Sequence, residues 1–147
     1  MAEIETTNCV MLADRHHGLS DGVRGLLETV FRTVFMVADE ASLIEGATRL
    51  QPALIVADLS LAPGDALGFI RRLRAGAGSA RLLLISVHDD SAVLRSALAA
   101  GADGVVLKRN LSTELLAAID CLLAGRPCPS PGSPGARSGA RPEPRTE

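Results

Sequence analysis

Five short apolar runs punctuate the chain: Cys9-Val10-Met11-Leu12-Ala13, Val34-Phe35-Met36-Val37, Ala53-Leu54-Ile55-Val56-Ala57, Arg81-Leu82-Leu83-Leu84-Ile85 and Gly104-Val105-Val106-Leu107. Continuous runs of this length, closed by a charge or a turn residue, predict strands buried on both faces. Between them the period changes. Leu19, Val23, Leu26, Leu27 and Val30 share one helical face, with Ser20, Asp21, Arg24 and Glu28 between them, which predicts an amphipathic helix. His16-His17-Gly18 reads as the loop before it. Further helices are predicted over 41–50, stopped before Pro52, and from an Asp65 N-cap to about Ala75, ended by Gly76-Ala77-Gly78. Two more run over 92–100, capped by Asp89-Asp90-Ser91 and closed by Gly101, and over 112–124, opened by Ser112-Thr113-Glu114.

Strands and helices therefore alternate five times. That predicts an α/β fold, a parallel sheet with helices on both faces joined by right-handed crossovers. Five such units suit the flavodoxin-like doubly wound (βα)5 order 2-1-3-4-5, whose crevice opens between the first and third strands. Residues 1–8 read as a polar lead-in, 9–125 as the folded domain, and 126–147 as a disordered tail. The tail holds six of the eight prolines and no aliphatic residue larger than Ala, so it has nothing with which to build a core.

Composition narrows the function classes. The net charge is −2; the tail carries +2 of it and the folded part −4. Trp and Tyr are absent, so there are no aromatic platforms for bases and no overall basic footprint, and direct nucleic-acid binding is not expected. The three cysteines, Cys9, Cys121 and Cys128, fit no metal or disulfide spacing. The acidic N-terminus is not a signal peptide, and no apolar run approaches the roughly 20 residues of a membrane span. A cytoplasmic protein is expected.

The candidate chemistry lies where strands end. Asp14, Asp58, Ser86 and Lys108 close four of the five runs, on the edge where this architecture binds ligands. Lys108 is the only lysine, against fourteen arginines; a compact ammonium reaches one oxygen in a pocket too narrow for a guanidinium. Adjacent His16 and His17, and His88, lack a third partner and read as loop residues.

These residues resemble the receiver domain of two-component response regulators, most closely those of the NarL/LuxR type. The resemblance covers about Val10 to Gly125. It is carried by Leu12-Ala13-Asp14-Arg15-His16, Val56-Ala57-Asp58-Leu59-Ser60-Leu61, Ile85-Ser86-Val87-His88-Asp89-Asp90 and the stretch from Ala100 to Lys108. It implies that Asp58 accepts a phosphoryl group from a phosphohistidine, Lys108 pairs with a phosphoryl oxygen, and the Ser86 hydroxyl reaches toward the same group. It implies Mg²⁺ held by Asp14, Asp58 and the backbone carbonyl of Ser60. The partner would be a sensor histidine kinase or phosphotransfer protein. A homodimer would use the fourth helix, fifth strand and fifth helix, a surface including Val93, Leu94, Ala97, Leu111, Leu115 and Ile119, some of which must be core.

The chain departs from that family at the metal site. Receivers carry two adjacent acids after the first strand; here the second is Arg15. Three carboxylates and one lysine give a site of −2, which Mg²⁺ neutralises, whereas Asp14, Asp58, Arg15 and Lys108 already sum to zero. The expectation is that Arg15 takes the metal's place by pairing with Asp58 or Asp14, leaving Mg²⁺ weak or absent; the alternative is that it swings out to solvent. Val105 replaces the aromatic that swings in other receivers, so readout by that route is not expected. Three functions remain open: a receiver module acting through protein contacts without its own output domain, the receiver part of a LuxR-type transcription regulator, and an enzyme on a flavodoxin-like scaffold. The last lacks any glycine-rich phosphate loop or nucleophile elbow.

Overall fold

A computed structural model describes residues 9–15, 17–87 and 90–125, with the backbone alone over 17–20. The readings of His16, His88, Asp89, Cys128, the lead-in and the tail lie outside the described residues. The elements in chain order are β1 (Cys9–Ala13), α1 (His17–Leu27), β2 (Thr33–Val37), α2 (Glu40–Leu50), β3 (Leu54–Asp58), α3 (Ala66–Ala77), β4 (Arg81–Ser86), α4 (Ser91–Ala100), β5 (Gly104–Leu107) and α5 (Leu111–Leu123). Single 3-10 turns, Leu59–Leu61 and Lys108–Asn110, follow β3 and β5. The strands form one parallel sheet in the order β2-β1-β3-β4-β5.

Two-sided burial explains the continuous apolar sequence of four strands; β2 is corrected, since as the outer strand beside β1 it leaves Thr33, Phe35 and Met36 exposed. Met11, Ala13, Ile55 and Ala57 face a layer containing Leu43, Phe69 and Leu94, from α2, α3 and α4. Their neighbours Val10, Leu12, Leu54 and Val56 face Val23, Leu27, Leu115 and Ile119, from α1 and α5. Successive residues of a strand point to opposite faces, so β1 and β3 need an apolar residue at every position.

The element boundaries differ from the sequence reading where the chain's own capping chemistry decides. α1 begins at His17, so His17 and Gly18 are helical rather than loop. It also ends earlier than the apolar period suggested: Phe31 donates its N–H to the Leu27 carbonyl and is buried, while Val30 is exposed. α3 continues through Gly76 to Ala77. Asp65 precedes α3 but makes no side-chain cap, and its carboxylate instead accepts from Arg72 Nη1 at 3.1 Å.

Asp39 is a working cap. Its Oδ1 accepts the Ser42 N–H at 2.7 Å and its Oδ2 the Ser42 hydroxyl at 3.1 Å. Those bonds favour the charged form and hold the carboxyl below its ordinary value of 3.8. A group with a depressed folded pKa stabilises the fold above its unfolded pKa, and that contribution is lost as pH falls through the folded pKa. Asp39→Ala should therefore lower the melting temperature by a few degrees at neutral pH. The gap from wild type should close in thermal melts taken progressively below the ordinary carboxylate range.

Candidate phosphoacceptor site

The sheet register assembles the site. Ala13 pairs with Ala57 across β1 and β3, so the next residues, Asp14 and Asp58, emerge side by side at one sheet edge. Asp58 pairs with Ile85, and Ser86 pairs with Leu107. Ser86 and Lys108 thus leave the sheet on the other flank of Asp58. The backbone of Asp14 is pinned from the second strand, its N–H donating to the Val37 carbonyl at 3.1 Å. Asp14, Asp58 and Ser86 are the only buried polar or charged residues among those described. In a protein with so apolar a centre, their clustering at one edge makes it the candidate site.

Asp58, 2% exposed, is held from both sides. Its Oδ1 accepts the Ser60 N–H at 2.8 Å, closing a tight turn that leads into the 3-10 segment. Its Oδ2 lies 2.9 Å from Lys108 Nζ. That ion pair is close, yet no directed hydrogen bond reaches Oδ2, and the nearby Ser60 hydroxyl is also buried without a hydrogen-bond partner. Burying a carboxylate costs several kcal/mol unless it is paired, on the order of what a nearby ammonium returns. Lys108 therefore supplies the counter-charge that offsets burial of the Asp58 side chain.

Arg15 turns toward the site, but to a different atom from the one expected. Its Nη1 donates to the backbone carbonyl of Ser60 at 3.3 Å. Among the described residues no carboxylate lies within ion-pair distance of it. The pairing of Arg15 with Asp58 or Asp14 is thus corrected: the Asp58 oxygen that faces a cation already faces Lys108, and the next acceptor within the long side chain's reach is a carbonyl. The alternative of a guanidinium turned out to solvent is also not what is seen, although Arg15 is exposed along its outer face.

Comparison with known proteins agrees with the fold. The family model of the response regulator receiver domain matches residues 10–120. The chain belongs to the response regulator receiver family. The receiver is 35% identical over 112 residues to the nitrate/nitrite response regulator NarP of Escherichia coli K12, covering 75% of this chain and 52% of NarP. It is 28% identical over 123 residues to RcsB of the same organism, covering 80% of this chain and 56% of RcsB. Among solved structures, a LuxR-family response regulator from Aurantimonas sp. SI85-9A1 superposes with a TM-score of 0.75 at 31% identity, covering 90% of this chain and 94% of that one. The isolated receiver domain of Salmonella RcsB in its apo form gives a TM-score of 0.74 at 26% identity, covering 92% and 100%. The receiver spans about half the length of the curated relatives it matches.

Two further sequence expectations resolve in this receiver. Val105 is 1% exposed and packs in the layer with Leu94 and Ala97; a short branched side chain in a filled core has no second position to swing to. Of the six residues offered as an interaction surface, Val93 is exposed, whereas Leu94, Ala97, Leu111, Leu115 and Ile119 are core. The family resemblance offered them with some expected to be core, and five of the six face inward from two helices.

Sequence reading missed one cluster altogether. At the opposite end of the sheet, Arg74 bonds to Asp103 Oδ2 at 2.7 Å and to the carbonyls of Ala80 at 2.8 Å and Gly101 at 3.1 Å. Asp103 Oδ2 also accepts the Leu82 N–H at 2.8 Å. Gly101 closes α4 at φ +131, and a Cβ there would meet the Arg74 side chain at 3.2 Å. No sequence spacing signals a partnership between residues 29 apart.

Proposed function

We propose that this receiver is a signalling module whose acceptor is Asp58 and whose metal site is weakened, and that it acts through protein contacts. The observation that carries the reading is the Arg15 guanidinium on the Ser60 carbonyl, 3.3 Å away, beside an Asp58 already paired with Lys108. Phosphoryl transfer from a phosphohistidine of a sensor kinase or phosphotransfer protein breaks a P–N bond and forms a P–O bond to Asp58, leaving an acyl phosphate. Lys108 offsets the charge gained, and Ser86 at the same edge offers a hydroxyl to a phosphoryl oxygen. Catalysis of this transfer is largely positioning and charge neutralisation, and the protein modifies itself rather than turning over a separate substrate.

Receivers typically use Mg²⁺ for part of that neutralisation. The donor set here does not suit it. Mg²⁺ binds through carboxylates and other oxygens with near-octahedral geometry. This site offers two carboxylates, one of them ion-paired, and a carbonyl already accepting from a cation. Among the described residues no group of three acidic, histidine or cysteine side chains is placed to hold a metal. Arg15 and Lys108 supply the positive charge in its stead, so phosphorylation is slow and nearly indifferent to Mg²⁺.

Incubation with acetyl or carbamoyl phosphate, with and without Mg²⁺, followed by intact mass measurement, tests this. The expected result is slow phosphorylation at similar rates in both conditions, abolished by Asp58→Asn. Fast modification that requires Mg²⁺ would overturn the weakened-site reading, and modification that survives Asp58→Asn would overturn the acceptor. The output half of the curated relatives is the basis of a second reading, in which the receiver regulates transcription as part of a longer LuxR-type chain. The length of the native gene decides it.

A further inference from the structure

The sheet has two edges, and they are treated differently. At β5 all four residues are buried. β2 is open: Thr33, Phe35 and Met36 are exposed, Phe35 to 39% and Met36 to 37%. Edge strands normally resist pairing by carrying a lysine, a proline, an inward charge or a bulge. The run Thr33-Val34-Phe35-Met36-Val37 carries none of these and pairs with β1 without interruption in register.

The backbone polarity of this edge can be read from one bond. The Val37 carbonyl accepts from Asp14 on the β1 side. Because successive residues of a strand direct their N–H and C=O to alternate sides, Thr33, Phe35 and Val37 turn theirs toward β1, and Val34 and Met36 turn theirs outward. The charges flanking the edge are opposite: Arg32 stands before the strand, and Asp39 and Glu40 after it.

We propose that β2 is a homodimerisation edge, on which a second copy pairs its own β2 antiparallel about a two-fold axis through Phe35. In that register Val34 lies opposite Met36 of the second copy, and the two residues exchange both backbone bonds. Phe35 lies opposite its own counterpart in a non-hydrogen-bonded pair, where Cα atoms approach to about 4.5 Å and the rings meet. The charges select this orientation. Antiparallel placement sets Arg32 of each copy beside Asp39 of the other, at the head of α2, whereas parallel placement would set Arg32 against Arg32. The contact is the same on both copies, as closed two-fold symmetry requires. It joins two five-stranded sheets into one. It leaves the phosphoacceptor site free and does not depend on the proposed signalling role.

Cysteine cross-linking and sedimentation of the full chain test the proposal. In a background of Cys9→Ala, Cys121→Ser and Cys128→Ser, Phe35→Cys should form a covalent dimer rapidly under mild oxidation, because the paired Cα spacing suits a disulfide. Thr33→Cys, which faces Val37, and Val93→Cys, on the other surface, should not. Sedimentation should show a concentration-dependent dimer for wild type. Met36→Lys should weaken it at least about tenfold, roughly 1.4 kcal/mol, with an unchanged circular dichroism spectrum. A wild type that stays monomeric at the highest soluble concentration would overturn the proposal. So would a dimer untouched by Met36→Lys, or one trapped through Val93→Cys and not Phe35→Cys. Should Met36→Lys unfold, the cross-linking pair decides alone.

Discussion

Arg15→Asp should raise Mg²⁺ affinity by about 100-fold, or ~2.8 kcal/mol at ~1.4 kcal/mol per decade. The substitution does three things together. It frees the Ser60 carbonyl, now an acceptor for Arg15 Nη1 at 3.3 Å. It adds a third carboxylate beside Asp14 and Asp58. It also moves the local charge from zero to −2, the value a divalent ion neutralises. A unit charge at about 4 Å is worth about 4 kcal/mol at an effective dielectric of about 20, and the solvent-facing side of Arg15 reduces that gain, which is why the expectation is set lower. Arg15→Ala should fall between wild type and Arg15→Asp, since it removes the cation without supplying a ligand. Trp and Tyr are absent, so intrinsic quenching cannot report the binding; titration calorimetry can. Equal, tight binding by wild type and Arg15→Asp would show that the guanidinium does not govern the site.

Arg74→Ala should destabilise the fold by about 3 kcal/mol, the largest stability loss expected from an exposed-to-intermediate position. The guanidinium joins the C-terminal turn of α3 to the start of β4 and to the α4–β5 corner through Ala80, Gly101 and Asp103. Bonds to charged groups contribute about 1.5–3 kcal/mol each, and carbonyls left without a donor cost more than the bond itself was worth. The pair is about a quarter exposed on each side, so water partly replaces what is lost, and the estimate stays near one strong bond. Asp103→Asn should cost less, because its side-chain oxygen can still accept the Leu82 N–H. Denaturant melts of the two variants give both differences, and a loss below ~1 kcal/mol for Arg74→Ala would mean that the clamp is replaceable by solvent.

The architecture was readable because four of its five strands are buried on both faces and write themselves as unbroken apolar runs; β2, equally apolar, is half open. Asp58 and Lys108 were readable for a related reason: each is the first polar residue after such a run, and the sheet brings run ends together. Contacts set by long side chains were not readable. Arg15 could be recognised as a cation at the site, but its acceptor depended on Lys108 having already taken the Asp58 oxygen. Arg74 is one of three arginines on α3, and nothing in its spacing sets it apart from the other two. The resemblance names Leu94, Ala97, Leu111, Leu115 and Ile119 within a surface, and an apolar side chain does not by itself say whether it meets the core or a partner; all five are buried. At Phe31 the helical period pointed to Val30, and the turn closed by the Leu27 carbonyl brought the next residue inward instead.

Lys108 carries the sole side-chain amine in the protein, and it sits against Asp58. An amine-directed reagent that leaves the fold intact therefore has one side-chain amine to find, beside Asp58. The labelling rate of that amine, set against the α-amino group as a reference, becomes a meter of how firmly Asp58 holds its counter-ion.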